Sequence, residues 1–334
     1  MPAINKRRAL IAAGAAALIV LCYAFWAVFA PLRSDQIAFR VSSGDGAGQI
    51  ARELRDRGIV RSGFWFRLLA SARGTDRRLK AGTYSLGGDK SLYQTLLMLE
   101  RGNTQAIRIT FPEGLSLYKT LRRIEDSGLA TYAELHAAAT DTTLVRQLTG
   151  FAVASMEGFL YPETYFFDLG LTPVEILSRM TEQFHQELEQ AGIRAQDIPG
   201  FYEKLTLAAI VEKESAHPDE RGLIAGVMYN RLRKGMRLAC CTTVDYVLER
   251  RGTKKPVLSL DDTKIASPYN TYLNEGLPPG PICNPSLGSL QAALHPVESD
   301  YLYFVADRKG RNDFSRTAQE HMSKSRAYKR AEWE

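Results

Sequence analysis

The stretch 205–238, LTLAAIVEKESAHPDERGLIAGVMYNRLRKGMRL, decides how this chain is read. It opens as an apolar helix, sets two glutamates two positions apart, and then turns at a proline. At about 100° per residue, Leu207, Ile210 and Val211 share one face as i, i+3 and i+4, and Glu214 continues that face as i+7. Glu212 falls about 140° from Leu207, on the flank or the outside. Pro218 biases His217 away from helical angles, which puts Glu214 in the last turn, on the apolar face and at an opening. A carboxyl in apolar surroundings is held protonated to higher pH because desolvation penalises its charged form, and a general acid needs that. A structural ion pair with Arg221, Arg231 or Arg237 is the competing role.

Downstream, a second helix is expected to begin at Pro218, with Asp219 and Glu220 favourable at its positive end. Leu223, Ile224, Val227 and Leu232 form its buried face and Gly235 stops it, with Asn230 and Arg231 near its C-terminal end. Residues 267–296, SPYNTYLNEGLPPGPICNPSLGSLQAALHP, read as a stiff proline-rich loop before a helix starting near Ser286. Such a loop either holds a groove open at low entropic cost or is simply a rigid surface loop. Residues 301–315, YLYFVADRKGRNDFS, read as a hairpin turning at Arg308 to Gly310. Residues 156–170, MEGFLYPETYFFDLG, interleave aromatics with Glu157 and Glu163, either as a core strand pair or as a wall for a sugar ring.

Upstream lies a different composition. Residues 9–30, ALIAAGAAALIVLCYAFWAVFA, carry no charge and follow Lys6, Arg7 and Arg8. As a helix they span roughly 33 Å, enough for a bilayer core and too long for the apolar region of a cleaved signal peptide. The flanking basic residues place the N-terminus in the cytoplasm and everything after Pro31 outside it. Beyond Arg33 the chain holds 39 Lys/Arg against 37 Asp/Glu. With no basic stripe, nucleic acid is not expected as a partner. Cys240, Cys241 and Cys283 lie in a compartment where disulfides persist, and either a bridge from one of the adjacent pair to Cys283 or three thiols is compatible with the spacing. The histidines show no HExxH-type spacing, so neither a metal nor another cofactor is expected.

Between anchor and helix pair, FRVSSGDGAGQIARELRDRGIV from Phe39 lies over ITFPEGLSLYKTLRRIEDSGLA from Ile109 at a fixed offset of 70. Each copy reads as a short strand, a glycine turn, an amphipathic helix and a glycine stop. With GFWFRLLASARG and SLYQTLLMLERG as helices and KAGTYSLG as a strand, this region is a small α+β module.

VEKESAHPDER, VMYNRLRKGMRL, TTV, SPYNTY, GLPPGPI, LHP and YLYFVAD, together with EGFLYPETY and KAGTY, resemble the MltG-type (YceG-like) endolytic murein transglycosylases, in that family's order. The resemblance implies a mixed α+β protein with a cytoplasmic tail at 1–8, a transmembrane helix at 9–30, a LysM-like membrane-proximal module at 37–130 and a catalytic domain with a substrate groove at 131–334. It implies cleavage of peptidoglycan glycan strands at the outer face of the inner membrane, beside the penicillin-binding synthases. The family's catalytic glutamate, the second acid of its E-K-E-[ST] motif, maps onto Glu214. The matching motifs suggest sugar contacts from Glu212, Asn230, Arg231, Thr243, Tyr269, Asn270, Tyr272, Pro279, Asn284 and His295. The implied chemistry uses one acid/base and the muramyl C6 hydroxyl as nucleophile, giving a 1,6-anhydro end. A hydrolytic muramidase, for which Glu212 is the acid to watch, and a non-catalytic glycan-binding scaffold are the competing readings. Where the family commonly carries Gln-x-Asp-Pro, this chain has Ala239, Cys240, Cys241 and Thr242, which removes two polar groups, and Thr243 and Val244 resume the pattern.

Overall fold

The computed structural model describes residues 2–42, 44–76, 78–102, 106–253, 255, 257–307 and 309–330. The chain divides into two compact units, Met1–Ile107 with Phe166–Gly170, and Arg108–Tyr165 with Leu171–Glu334.

The first unit begins with α1 (Pro2–Phe29), in which Ile11–Phe29 is long and apolar enough to cross a membrane. Its C-terminal end is built into the unit. Ala27 and Val28 are buried, and the Leu32 backbone bridges to Lys90. Arg61 donates to the carbonyls of Ala30 and Pro31, 2.6 Å each. A helix end leaves such carbonyls without intrahelical partners, so Arg61 works as a side-chain cap. The strands β1 (Ile37–Val41) and β2 (Gly82–Leu86) pair antiparallel with Phe39 opposite Tyr84. Helices α2 (Ala47–Asp56), α3 (Gly63–Ala72) and α4 (Leu92–Arg101) complete the layer, and Phe39, Leu54, Phe66, Tyr84 and Leu96 form its core. Ser62 caps α3, and Ser91 with Gln94 forms a capping box on α4, as the Ser-x-x-Gln spacing requires.

The chain leaves this unit within β3 (Ala106–Thr110), and its return at Phe166 falls within β4 (Thr164–Asp168); the two strands pair. On that return, the Leu169 and Gly170 carbonyls accept from the Thr83 hydroxyl and the Arg40 guanidinium.

The second unit takes α5 (Leu117–Asp126), α6 (Tyr132–Thr140), α7 (Thr142–Thr149), α8 (Pro173–Gln190), α9 (Phe201–Glu214), α10 (Arg221–Arg233), α11 (Cys241–Arg250), α12 (Leu287–Leu294), β5 (Tyr303–Ala306), β6 (Asn312–Ser315) and α13 (Ala318–Arg330). The compact units divide at 107/108. Residues 108–130 group with the second unit because α5 packs on α6, Ser116 donates to Glu249, and the Leu117 N–H donates to Glu157 at 2.7 Å. The 70-residue offset recurs in the backbone: α2 and α5 start and stop 70 residues apart, and Gly44/Gly114 and Gly58/Gly128 all take left-handed φ. The two copies belong to different units.

Three local expectations change. A 3₁₀ turn at Pro218–Glu220 precedes α10, so the α-helix opens at Arg221. Its buried side is Ile224, Ala225, Val227 and Met228, with Leu223 and Leu232 only partly covered. Residues 156–170 supply one strand, not two, after a coil whose Phe159 sits between Phe151, Phe184 and Tyr202. The 301–315 hairpin forms with Phe304 opposite Phe314; Arg308, at its tip, lies outside the described residues.

Candidate active site

Helix α9 is the axis of the second unit, packed against α12, α10 and α11. Every residue from Leu205 to Val211 is buried, so this helix is covered all round rather than along one stripe. The site follows from what meets its last turn.

On one flank stands Glu212. Its carboxylate accepts from the Ser286 N–H (3.0 Å) and hydroxyl (2.5 Å) and lies 3.4 Å from the Arg221 guanidinium. Both side chains are nearly enclosed, 7% exposed for Glu212 and 14% for Arg221. The flank expected to face out is therefore covered, because the start of α12 and the Arg221 side chain close over it. Ser286 is the N-cap of α12, so Glu212 fastens one helix end to another.

Two residues on, Glu214 closes α9, with Ser215 as C-cap. Among the described residues it forms no ion pair; its Oε1 accepts from the Thr242 hydroxyl at 2.8 Å. Burial pushes its pKa up, and Asp245 adds to that. The Thr242 side chain and backbone N–H, and the more distant Arg231, oppose it without reversing it. This carboxyl is the half of the acid pair held toward its neutral form by desolvation.

Thr242 belongs to the segment expected to be a depleted loop. It is instead the first turn of α11, with Cys240 as N-cap. The approach is tight. Ala239 is left-handed at φ 49°, a non-glycine position of the kind that costs roughly 1–2 kcal/mol, and its N–H is held on the Thr271 carbonyl at 3.1 Å. Where the family pattern carries proline, a threonine hydroxyl reaches the glutamate. The sign available in the sequence was the pair of hydroxyl residues opening a helix directly after Met-Arg-Leu. Cys241 Sγ, also exposed here, lies 3.0 Å from the Tyr272 hydroxyl. All three cysteines of this unit are free thiols: Cys283 points at the Ala209 carbonyl and Cys240 at Met228 Sδ.

A cavity of about 610 Å³ opens beside this turn, walled by Lys213, Thr242, Asp245, Lys119, Glu249 and the Tyr118 and Tyr246 rings. Desolvation also raises the pKa of Asp245. None of Lys119, Lys213 or Asp245 stood out in the sequence, because isolated charges on amphipathic helices carry no local signature.

The other sequence-derived residues distribute unevenly. Tyr272 stands at the turn through Cys241, and Tyr269 reaches the cavity wall through its ring contact with Tyr246, 4.9 Å between centroids. Thr243 is buried against Cys240 O (2.7 Å) and Thr271 Oγ1 (2.9 Å). Asn230 donates to the carbonyls of Ser299 and Tyr301, and Arg231 to those of Leu302 and Leu238. Asn270 holds the carbonyls of Thr263 and Ile265, and Asn284 accepts from the N–H groups of Gly158 and Leu160. These polar atoms are engaged with backbone, and they brace the loops around α9. Pro279 is exposed, and His295, at the C-cap of α12, is exposed beside a separate cavity of about 370 Å³ next to Arg221.

One buried acid was read only as part of an aromatic wall. Glu157 accepts from the Leu117 N–H (2.7 Å) and the Tyr246 hydroxyl (3.0 Å), and burial pushes its pKa up to about 8. It ties α5 to α11 behind the cavity.

The YceG-like family model matches residues 39–327 of this chain. The endolytic murein transglycosylase of Bacillus subtilis (strain 168) is 31% identical over 318 residues, covering 89% of this chain and 87% of that protein. The endolytic murein transglycosylase of Streptococcus pneumoniae D39 is 31% identical over 314 residues, 84% of this chain and 56% of the longer relative. The crystal structure of a yceG-like protein from Listeria monocytogenes aligns with a TM-score of 0.58 at 31% identity, over 86% of this chain and 99% of that one.

Proposed function

Because the chain belongs to the YceG-like family, whose relatives above carry the name endolytic murein transglycosylase, we propose that it is a lytic transglycosylase cutting peptidoglycan glycan strands internally, with Glu214 as its acid and base. The observation that carries the reading is the environment of Glu214. Among the described residues this helix-terminal carboxyl with raised proton affinity has one oxygen held by a hydroxyl donor and no cation paired to it, and its neighbours Lys213 and Thr242 wall a cavity of about 610 Å³.

We assign the two carboxyl oxygens different work: Oε1 accepts from the Thr242 hydroxyl, and Oε2 is taken to carry the proton of the neutral acid. Glu214 gives that proton to the glycosidic oxygen between N-acetylmuramic acid and N-acetylglucosamine. The resulting carboxylate, stabilised by the same Thr242 hydroxyl, takes the proton of the muramyl C6 hydroxyl as that oxygen attacks C1. The bond to the leaving sugar breaks, the 1,6-anhydro bond forms, and Glu214 ends protonated again. Paired-carboxylate glycosidases need a second acid as nucleophile or water activator. Glu212 is held by Ser286 and Arg221, which supports the single-acid route over a hydrolytic one.

Around this chemistry we place α1 as a single bilayer span with Lys6, Arg7 and Arg8 in the cytoplasm, the first unit as a LysM-like glycan-holding module, and the second unit outside the inner membrane, acting on nascent strands beside penicillin-binding synthases to limit strand length. Mass spectrometry of glycan digested by the full-length protein tests the core of this reading. Anhydro ends, one water lighter than reducing ends, are expected from the wild type and absent with Glu214→Gln. Reducing ends would establish a muramidase instead, and unchanged cleavage by Glu214→Gln would remove Glu214 from the mechanism.

A further inference from the structure

Among the described residues, the exposed face of α3 has no partner that covers it. The sequence GFWFRLLASA buries Phe66 and Ala70 in the core of the first unit, yet Phe64 is 67% exposed and Leu68 49%. Beside them, α3 from Trp65 to Ala72 and α1 from Leu21 to Phe29 form the two walls of an apolar cavity of about 680 Å³. The second wall indicates what fills it, because those α1 residues belong to the Ile11–Phe29 segment that is apolar enough to cross a membrane.

Length fixes the depth. Nineteen residues of helix rise about 28 Å, barely the thickness of a hydrocarbon core, so none of Ile11–Phe29 is to spare. Leu21 to Phe29 accounts for roughly the last 12 Å of that rise. An element packed along those residues therefore stands level with the acyl chains and headgroups of the outer leaflet. The connection holds it there: Ala27 and Val28 are buried in the unit, Phe29 packs on Tyr93 at 5.4 Å, and Arg61 grips the Ala30 and Pro31 carbonyls with its guanidinium 4.4 Å from the Trp26 ring. Charge agrees, since residues 31–102 hold 13 Lys/Arg against 7 Asp/Glu, while residues 103–334 hold 27 against 30. A net-basic unit that carries an apolar, tryptophan-bearing helix face suits an anionic lipid interface.

We propose that α3 is an interfacial helix: Phe64, Trp65 and Leu68 enter the outer leaflet next to α1, so the first unit lies in the membrane surface instead of hanging from it. This rests on the reading of α1 as a bilayer span, and the test separates the two. Full-length protein carrying Trp65 as its one tryptophan (Trp26→Phe, Trp333→Phe) is reconstituted in phosphatidylcholine/phosphatidylglycerol vesicles whose acyl chains are brominated either near the headgroup or near the bilayer centre. A second protein keeps only Trp26 (Trp65→Phe, Trp333→Phe).

The shallow bromines are expected to lower Trp65 emission about two-fold or more, and the deep ones less. Adding Phe64→Asp and Leu68→Asp should remove at least half of that quenching and leave Trp26 quenching unchanged. If Trp26 is quenched and Trp65 is not, the interfacial helix is overturned while the anchor stands, and another protein covers the face. If neither is quenched, the span fails and the proposal fails with it. Trp65 quenching that persists undiminished in the double aspartate protein also overturns it, because the lipid contact would not come from this face.

Discussion

The two sides of the last turn of α9 carry the same functional group and put it to opposite use. On the Glu212 side a guanidinium, an N–H and a hydroxyl converge on the carboxylate, a set of donors that matches a negative charge. On the Glu214 side a single threonine, with hydroxyl and N–H, meets an otherwise desolvated carboxyl. Depth alone does not distinguish the two acids, since both are partly covered residues just past the buried run Leu205–Val211. The difference lies in the number and charge of donors: three, one of them a guanidinium, meet Glu212, while desolvation favours the protonated form of Glu214.

The sharpest way to break this contrast is to neutralise each acid in turn. Glu214→Gln should lower the turnover of glycan strands by about 10²–10⁴-fold, with the melting temperature within about a degree of wild type. Glu212→Gln should do the reverse. Arg221 would lose its buried partner and, among the described residues, keep Glu113 at 3.4 Å, costing about 2–4 kcal/mol in a denaturant titration, while the folded fraction retains most of its activity. A large activity loss without destabilisation in Glu212→Gln would erase the distinction.

Glu157 extends the comparison to a third acid, one neutral by burial but closed to substrate by Leu117 and Tyr246. Its folded pKa of about 8 lies above the value of an exposed glutamate, so the native state binds the extra proton between the two. Its contribution is therefore intact below about pH 4.5 and is lost as pH rises through about 8, worth on the order of 5 kcal/mol across that window. Unfolding free energies measured from pH 5 to 8.5 should fall with pH in the wild type, and the fall should flatten in Glu157→Gln.

The finest probe is Thr242. Its hydroxyl favours the carboxylate of Glu214, so Thr242→Val should raise the alkaline limb of the pH–rate profile by up to about one unit, lower the rate at the optimum roughly ten-fold, and leave KM nearly unchanged. Thr242→Ser should restore both limb and rate. A lower rate with an unmoved limb would make Thr242 a packing residue only.

Much of the frame was legible in the sequence because it rests on local rules. Ser62, Ser91 and Ser286 cap the helices they precede, and the 70-residue offset returns as two helices of identical span. The helical phase singled out Glu214 but misplaced Glu212, since an apolar stripe marks which side of a helix must be buried and says nothing about whether the rest is also covered. Asn230, Arg231, Asn270 and Asn284 fit the motif as sugar contacts, yet most of their partners are backbone carbonyls and N–H groups, some as far as 71, 126 and 169 residues away. Such long-range polar pairings leave no period in the sequence. Thr242 was hidden for a related reason: its importance is a distance to Glu214, across 28 residues of chain.

The short return of Phe166–Gly170 to the first unit has a consequence for how this architecture can be rearranged. The polypeptide crosses between the units three times, so neither is a bead that one cut can free. A truncation at residue 107 would strip the Thr83 hydroxyl and the Arg40 guanidinium of the carbonyls they bind, while the remaining fragment would carry five orphaned residues, among them the fully buried Phe167. Recombination that trades one such protein's front half for another's must therefore carry the pentapeptide along, and chimeras built without it are expected to be insoluble.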